Sequence, residues 1–109
     1  MRTVIGIRSP KHLPEGLHSD REMPTVWFDS WRQLAGVLSD ENRELLRLIR
    51  DCKPRTVAEL SEISGRAASN LSRTLKNLEE HGLVRLHRST ESRAVRPEAL
   101  STEFLVLLD

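Results

Sequence analysis

The sequence predicts a mainly helical α+β domain with one small β-hairpin, and three observations predict it. Apolar residues recur at helical spacing from Trp31 to Leu78. Ser30, Ser39 and Thr56 stand where helices should begin, each with an oxygen able to cap the first turn. Past Gly82 the helical period gives way to two short β-prone runs joined by a polar loop. At 109 residues the chain holds one domain with one modest core. Aromatic residues make up only 4%, so that core is built from Leu, Val, Ile and Ala.

Each element follows from its residues. Met1–Arg8 carries Thr3, Val4, Ile5 and Ile7, a β-prone run interrupted by Gly6. Residues 9–25 hold three prolines and a glycine without periodicity, and read as an irregular arm. Ser30 and Gln33 have capping-box spacing, and Trp31, Leu34, Ala35 and Leu38 follow at helical intervals. Ser39 opens a second helix, with Asp40 and Glu41 in the first turn where the helix dipole favours them. Leu45, Leu46, Leu48 and Ile49 give it an apolar face, and Pro54 lies beyond its end.

Thr56 and Glu59 repeat the capping spacing before a short helix, Val57–Ile63, expected to bury Val57, Leu60 and Ile63. Gly65 marks a turn, and a fourth helix is expected from about Arg66 to His81. Gly82 suits the position after its end, because glycine enters the left-handed region cheaply. "LVRLHR", "STES" and "RAVRP" then read as strand, loop and strand. The tail "ALSTEFLVLLD" fits a buried strand or a helix end; a strand pairing with the N-terminal run is the preferred reading. Residues 1–25 are thus the β-prone run and arm, 26–97 the main domain and 98–109 an apolar tail. The element order is that of a winged helix-turn-helix.

The fourth helix lies in "SGRAASNLSRTLKNLEEHGLV". At 3.6 residues per turn, Ala68, Leu71, Leu75 and Leu78 share one face. Arg66, Ser69, Arg73 and Lys76 fall opposite, with Asn70 and Asn77 on one shoulder. These are residue types that read major-groove edges: Arg suits guanine, Asn adenine, and Ser either. Glu79 and Glu80 sit at the C-terminal end, so the helix would approach a polyanion by its N-terminal half.

The net charge of +1 conceals a division. Residues 1–52 are neutral, with eight Lys/Arg against eight Asp/Glu, whereas 53–96 hold nine against five and 97–109 none against three. The excess positive charge therefore accompanies the helix-turn-helix and hairpin, which suits a phosphate-bearing partner. Lys53 and Arg55 precede Thr56, where a phosphate can meet a helix N-terminus; a solvated loop is the alternative. Arg85 and His87 share one face of the first hairpin strand, and Arg88 and Arg93 flank its loop.

Other function classes find little support. Cys52, His12, His18, His81 and His87 lack metal-ligand spacing, so no metal or other cofactor is expected. Glu41 and Glu44 read as surface charges, and no nucleophile elbow, phosphate loop or HExxH helix is present, so no enzymatic activity is expected. Trp27, Phe28 and Trp31 read as core or dimer contacts. A single cysteine suits a reducing cytosol, and "MRTVIGIRSP" is neither a signal peptide nor a membrane span. A cytoplasmic protein is expected.

"SDENRELLRLIRDCKPRTVAELSEISGRAASNLSRTLKNLEEHGLVRL" resembles the winged-helix core of bacterial and archaeal transcriptional regulators of the MarR/ArsR type. It is most similar to a group of small DNA-binding regulators described as antitoxin-like. "VWFDSWRQLAGVLS" resembles the lead-in helix of that group, and the likeness spans about residues 26–90. The resemblance implies a recognition helix at Arg66–His81, a wing at about Leu83–Pro97, and a homodimer on paired half-sites about one helical turn apart. A long dimerisation helix after Pro97 is absent, which leaves the N-terminal arm, the Trp31 helix or the tail strand for that contact.

The expected function is a sequence-specific transcriptional regulator, a repressor, on double-stranded DNA. Arg66, Ser69, Asn70 and Arg73 would read bases, with Asn77 on the same exposed side. Lys76, Lys53, Arg55, Arg85, Arg88 and Arg93 would hold phosphates, with Thr56 at the helix N-terminus. The alternative is an antitoxin-like protein that neutralises a toxin-like partner through its terminal segments, the N-terminal run with the Pro-rich arm or the apolar tail, DNA binding then being autoregulation or lost.

Overall fold

Four helices and two small sheets form an α+β domain, seen in a computed structural model that describes residues 2–7, 24–91 and 93–107. The order is β1 (Arg2–Ile7), β2 (Val26–Phe28), α1 (Trp31–Val37), α2 (Asp40–Cys52), α3 (Val57–Ser64), α4 (Ala68–Glu80), β3 (Val84–Arg88), β4 (Val95–Ala99) and β5 (Glu103–Leu107). Most of the proposed arm, with His12 and His18, lies outside the described residues.

The first three helices begin where their caps predict. The Ser30, Ser39 and Thr56 hydroxyls accept the amides of Gln33, Asn42 and Glu59 at 3.1, 3.2 and 3.0 Å. The fourth helix starts at Ala68 rather than near Arg66, because Arg66 and Ala67 belong to the turn. The Ser61 hydroxyl donates to the Arg66 carbonyl at 2.6 Å, and the Arg66 amide donates to Ser64 Oγ at 3.2 Å. Ala67 has no capping oxygen, so this turn sets the start of α4.

The end of α4 is closed by backbone bonds. Leu83 N–H donates to Leu78 O at 2.9 Å and Gly82 N–H to Glu79 O at 3.0 Å, with Gly82 at φ 74°. Leu83 and Leu78 are both fully buried, completing a Schellman turn. Lys53 ends α2 at φ 47°, a left-handed position unusual for a residue with a side chain.

Leu45, Leu46 and Ile49 of α2 meet Leu60 of α3 and Leu71, Leu75 and Leu78 of α4 in one core, joined by Leu83 and Val84. Each leucine so buried is worth about 1.5–3 kcal/mol relative to exposure. Some expected core positions are elsewhere. Ile63 is 41% exposed, because the inward stripe of α3 runs through Val57, Leu60, Ser61 and Ser64. Ile63 lies about 100° round the helix from the centre of that stripe. In α1 the inward residues are Leu34 and Val37, whereas Ala35 is exposed and Trp31 is 54% exposed.

The chain ends meet in a parallel sheet of order β2-β1-β5. Thr3 pairs with Phe104, Val4 with Leu105 and Ile5 with Val106, so the tail strand joins the N-terminal run as expected. Ile5 and Phe28 are fully buried in the main core, with Phe104 and Val106 packed against it. The β2 strand is an addition to the expected fold: the resemblance puts Val26–Phe28 in the lead-in helix, whereas that helix starts only at Trp31 and these residues pair with β1. Its pairing brings Trp27 opposite Gly6. A Cβ on Gly6 would stand 2.5 Å from Trp27 Cζ3 and 2.9 Å from Pro24 Cγ. The glycine in the apolar run is therefore a seat for the indole.

The second sheet is the expected hairpin, with β3 antiparallel to β4 from Val84↔Ala99 to Arg88↔Val95. Its second strand runs two residues beyond the expected limit at Pro97. Leu86, opposite Pro97, donates its N–H to Glu79 Oε2 at 3.1 Å, away from the partner strand. Pro97 thus sits where no ladder bond is needed, which is why a proline is tolerated there.

Two glycines give opposite expectations. Gly6→Ala should destabilise the fold by about 1–3 kcal/mol by displacing Trp27. Gly36→Ala, in α1 with open space around its Cβ position, should stabilise it by about 0.5–1 kcal/mol. Urea unfolding of both variants checks the pair; a harmless Gly6→Ala would contradict the packing described.

Candidate functional site

The buried leucine stripe of α4 fixes which side chains face outward. Ser69, Asn70, Arg73, Lys76 and Asn77 are all exposed. Ser69, Arg73 and Lys76 are spaced i, i+4, i+7 and form one ridge. The helix thus presents hydroxyl, amide, guanidinium and ammonium groups on the side opposite Leu71, Leu75 and Leu78.

Arg66 is placed differently from the sequence expectation. It is half-buried ahead of the helix and turned back along it. Its Nε and Nη2 donate to Asn70 Oδ1 at 3.1 and 2.8 Å, and Nη2 also donates to Thr74 Oγ1 at 3.1 Å. Two expected base readers are therefore bonded directly to each other, and Arg66 has a further acceptor, Thr74, that the sequence did not single out. The i, i+4, i+8 spacing of 66, 70 and 74 was the available signal.

The acidic end of α4 also has a specific role. Glu79 is turned towards the hairpin, taking the Leu86 amide on Oε2 and lying 3.5 Å from Arg88 Nη2 through Oε1. The carboxylate ties α4 to β3 and accompanies Arg88, which therefore stands beside an acid rather than alone at the loop. Glu80 remains exposed.

On the outer hairpin face, Arg85 and His87 of β3 lie across from Glu98 and Arg96 of β4. His87 Nε2 is 2.9 Å from Glu98 Oε1. The hydrogen bond from His87 holds the Glu98 carboxyl below its ordinary pKa, helped by the charges of His87, Arg85 and Arg96. Arg96 is a cation that the sequence reading omitted; strand alternation from Pro97 would have placed it outside. Arg93 is exposed in the loop, and Lys53 and Arg55 are exposed between α2 and α3. The Thr56 hydroxyl is occupied by the Glu59 amide.

His81 anchors the far end of α4. Its ring stacks on Phe28 with centroids 4.9 Å apart and planes 10° from parallel. Nδ1 lies 2.9 Å from Asn77 O; since a carbonyl only accepts, Nδ1 carries the hydrogen. Among the described residues, no His, Cys, Asp and Glu side chains group as metal ligands, and Cys52 is exposed and unbridged. Among those residues, no helix is long and apolar enough to cross a membrane.

The model of a family designated HVO_A0114 matches residues 37–104. The match runs from the last residue of α1 into β5, and so takes in α2, α3, α4 and the hairpin with all their exposed polar side chains. No curated protein matches the chain. With well over half its length matched, the chain belongs to the HVO_A0114 family.

Proposed function

We propose that the chain is a sequence-specific DNA-binding transcriptional regulator, a repressor, built as a winged helix-turn-helix. The observation that carries this reading is the exposed face of α4, where Ser69, Asn70, Arg73, Lys76 and Asn77 stand together on a helix held by its buried leucines. Such a face suits the major groove, where these side chains find donors and acceptors on base edges. The preceding turn, α3 and the following hairpin supply the helix-turn-helix and wing in the required order.

In this reading Ser69, Asn70 and Arg73 face bases, and Lys76 lies next to phosphates. Lys53 and Arg55, at the start of α3, reach the backbone on one side of the groove; Arg85, Arg93 and Arg96 reach it on the other. Arg88 shares its charge with Glu79 and contributes less than an unaccompanied arginine.

Homodimerisation is part of the proposal. The central β1 strand has both edges paired, so it is unsuited to the contact. The half-exposed Trp31 lies on a groove with Leu34, Leu38, Phe104 and Val106, rimmed by Arg43 and Arg47. This groove joins two of the surfaces the sequence suggested, the Trp31 helix and the tail strand. The toxin-neutralising alternative is less well supported, because the β-prone ends that motivated it pair with each other inside the chain.

Arg73→Ala tests the DNA reading by fluorescence anisotropy on the chain's own promoter fragment and on random duplex. The expected loss on the promoter is about 1–3 kcal/mol, with relaxed base preference. Equal loss on both duplexes would make Arg73 a phosphate contact, and no loss on either would remove α4 from the interface. Trp31→Asp tests the dimer by sedimentation: a shift from dimer to monomer is expected, and an unchanged mass would exclude that groove.

A further inference from the structure

The turn that launches α4 fixes more than the direction of the helix. Arg66 is held at both ends. Its carbonyl accepts from Ser61 Oγ at 2.6 Å, its amide donates to Ser64 Oγ at 3.2 Å, and its guanidinium reaches Asn70 and Thr74. A guanidinium carries donors only, so the Asn70 atom it grips must be the carbonyl oxygen. The donors at 3.1 and 2.8 Å then occupy both lone pairs of that oxygen.

This changes what Asn70 can recognise. Asparagine reads adenine with two groups, its amide nitrogen donating to N7 and its oxygen accepting from the N6 amino group. With Oδ1 saturated, Asn70 offers only the two hydrogens on Nδ2. The base edge that answers two donors is guanine, whose N7 and O6 both accept; adenine would face the amide with an unanswered amino group. Asn70 Oδ1 cannot serve adenine until Arg66 lets go.

We infer that Arg66 is a positioning residue that sets base specificity, holding Asn70 as a donor so that α4 selects guanine rather than adenine at the position Asn70 meets. The inference rests on the DNA-binding reading above. It departs from the simpler expectation that Arg66 reads a base itself and that Asn70 reads adenine. Of the five guanidinium hydrogens, the three on Nε and Nη2 are those this clamp uses, and the pair on Nη1 is left to meet a phosphate. Side chains at the start of a recognition helix lean towards its N-terminus, so Asn70 and Thr74 both incline to the arginine that precedes them.

The test is site selection from a randomised duplex pool by the wild-type chain and by Asn70→Ala, Arg66→Met and Arg66→Lys. Asn70→Ala identifies the base position concerned, as the one whose preference disappears. The wild type should prefer guanine there by about tenfold or more over adenine. Arg66→Met, which keeps a long side chain without donors, should shift that position towards adenine. Arg66→Lys keeps the charge but not the planar fork. It should relax the same position towards equal use of guanine and adenine.

Adenine at that position in the wild type, or a guanine preference unchanged in Arg66→Met, would overturn the inference while leaving DNA binding intact. A wild-type chain that selects no site would overturn the DNA-binding reading and the inference with it. A readout on the free protein accompanies these. The Asn70 side-chain amide resonances should move in Arg66→Met, and unmoved resonances would mean that the clamp does not form.

Discussion

Leu71, Leu75 and Leu78 are shut away from water completely, and their burial decides the orientation of nearly everything that gives the domain a recognisable surface. A helix with one side committed to the core has no freedom to rotate. Its opposite ridge, Ser69, Arg73 and Lys76, is therefore exposed by the same packing that stabilises the fold. The Schellman turn at Gly82 fixes where the helix stops, and Glu79 links it to the first hairpin strand. The stacked rings of His81 and Phe28 then tie that end to the parallel sheet. Helix, hairpin and sheet are positioned relative to one another through the last two turns of α4.

The parallel sheet closes the domain by joining the two ends of the described chain. Its strands bury Ile5 and Phe28 in the same core as the helices, so β1 and β5 belong to the domain rather than standing apart from it. Parallel pairs need long connections, and the connection from β1 to β5 contains all four helices. This arrangement leaves β5 as one edge of the sheet, beside Trp31. The apolar groove there and the polar face of α4 differ in chemistry, as the proposed contacts with a second copy and with a nucleic acid require.

Local signals in the sequence were sufficient for much of this. Ser30, Ser39 and Thr56 mark helix starts because a hydroxyl capping an amide three residues on is a short-range interaction. Gly82 marks a helix end because few other residues tolerate its backbone conformation, and the apolar tail could be matched to the N-terminal run by composition. What stayed hidden depends on geometry between elements. The β2 strand is three residues long and becomes a strand only because β1 lies beside it. Ile63 and Trp31 carry the correct hydrophobicity but lie off the inward stripe of short helices. The Arg66–Asn70 bond requires the exact path of the α3–α4 turn, and Glu79 reads as one more surface acid until the hairpin folds against it.

DNA is proposed to bind at the exposed face of α4. The most direct measurement is amide and side-chain chemical-shift mapping of the labelled protein titrated with a duplex from its own promoter. The largest shifts are expected at Ser69, Asn70, Arg73 and Asn77, with smaller ones at Lys53–Thr56 and around Arg93, and with Leu105 and Trp31 little changed at fixed oligomeric state. Shifts centred on Trp31, Phe104 and Val106, or none along α4, would contradict it.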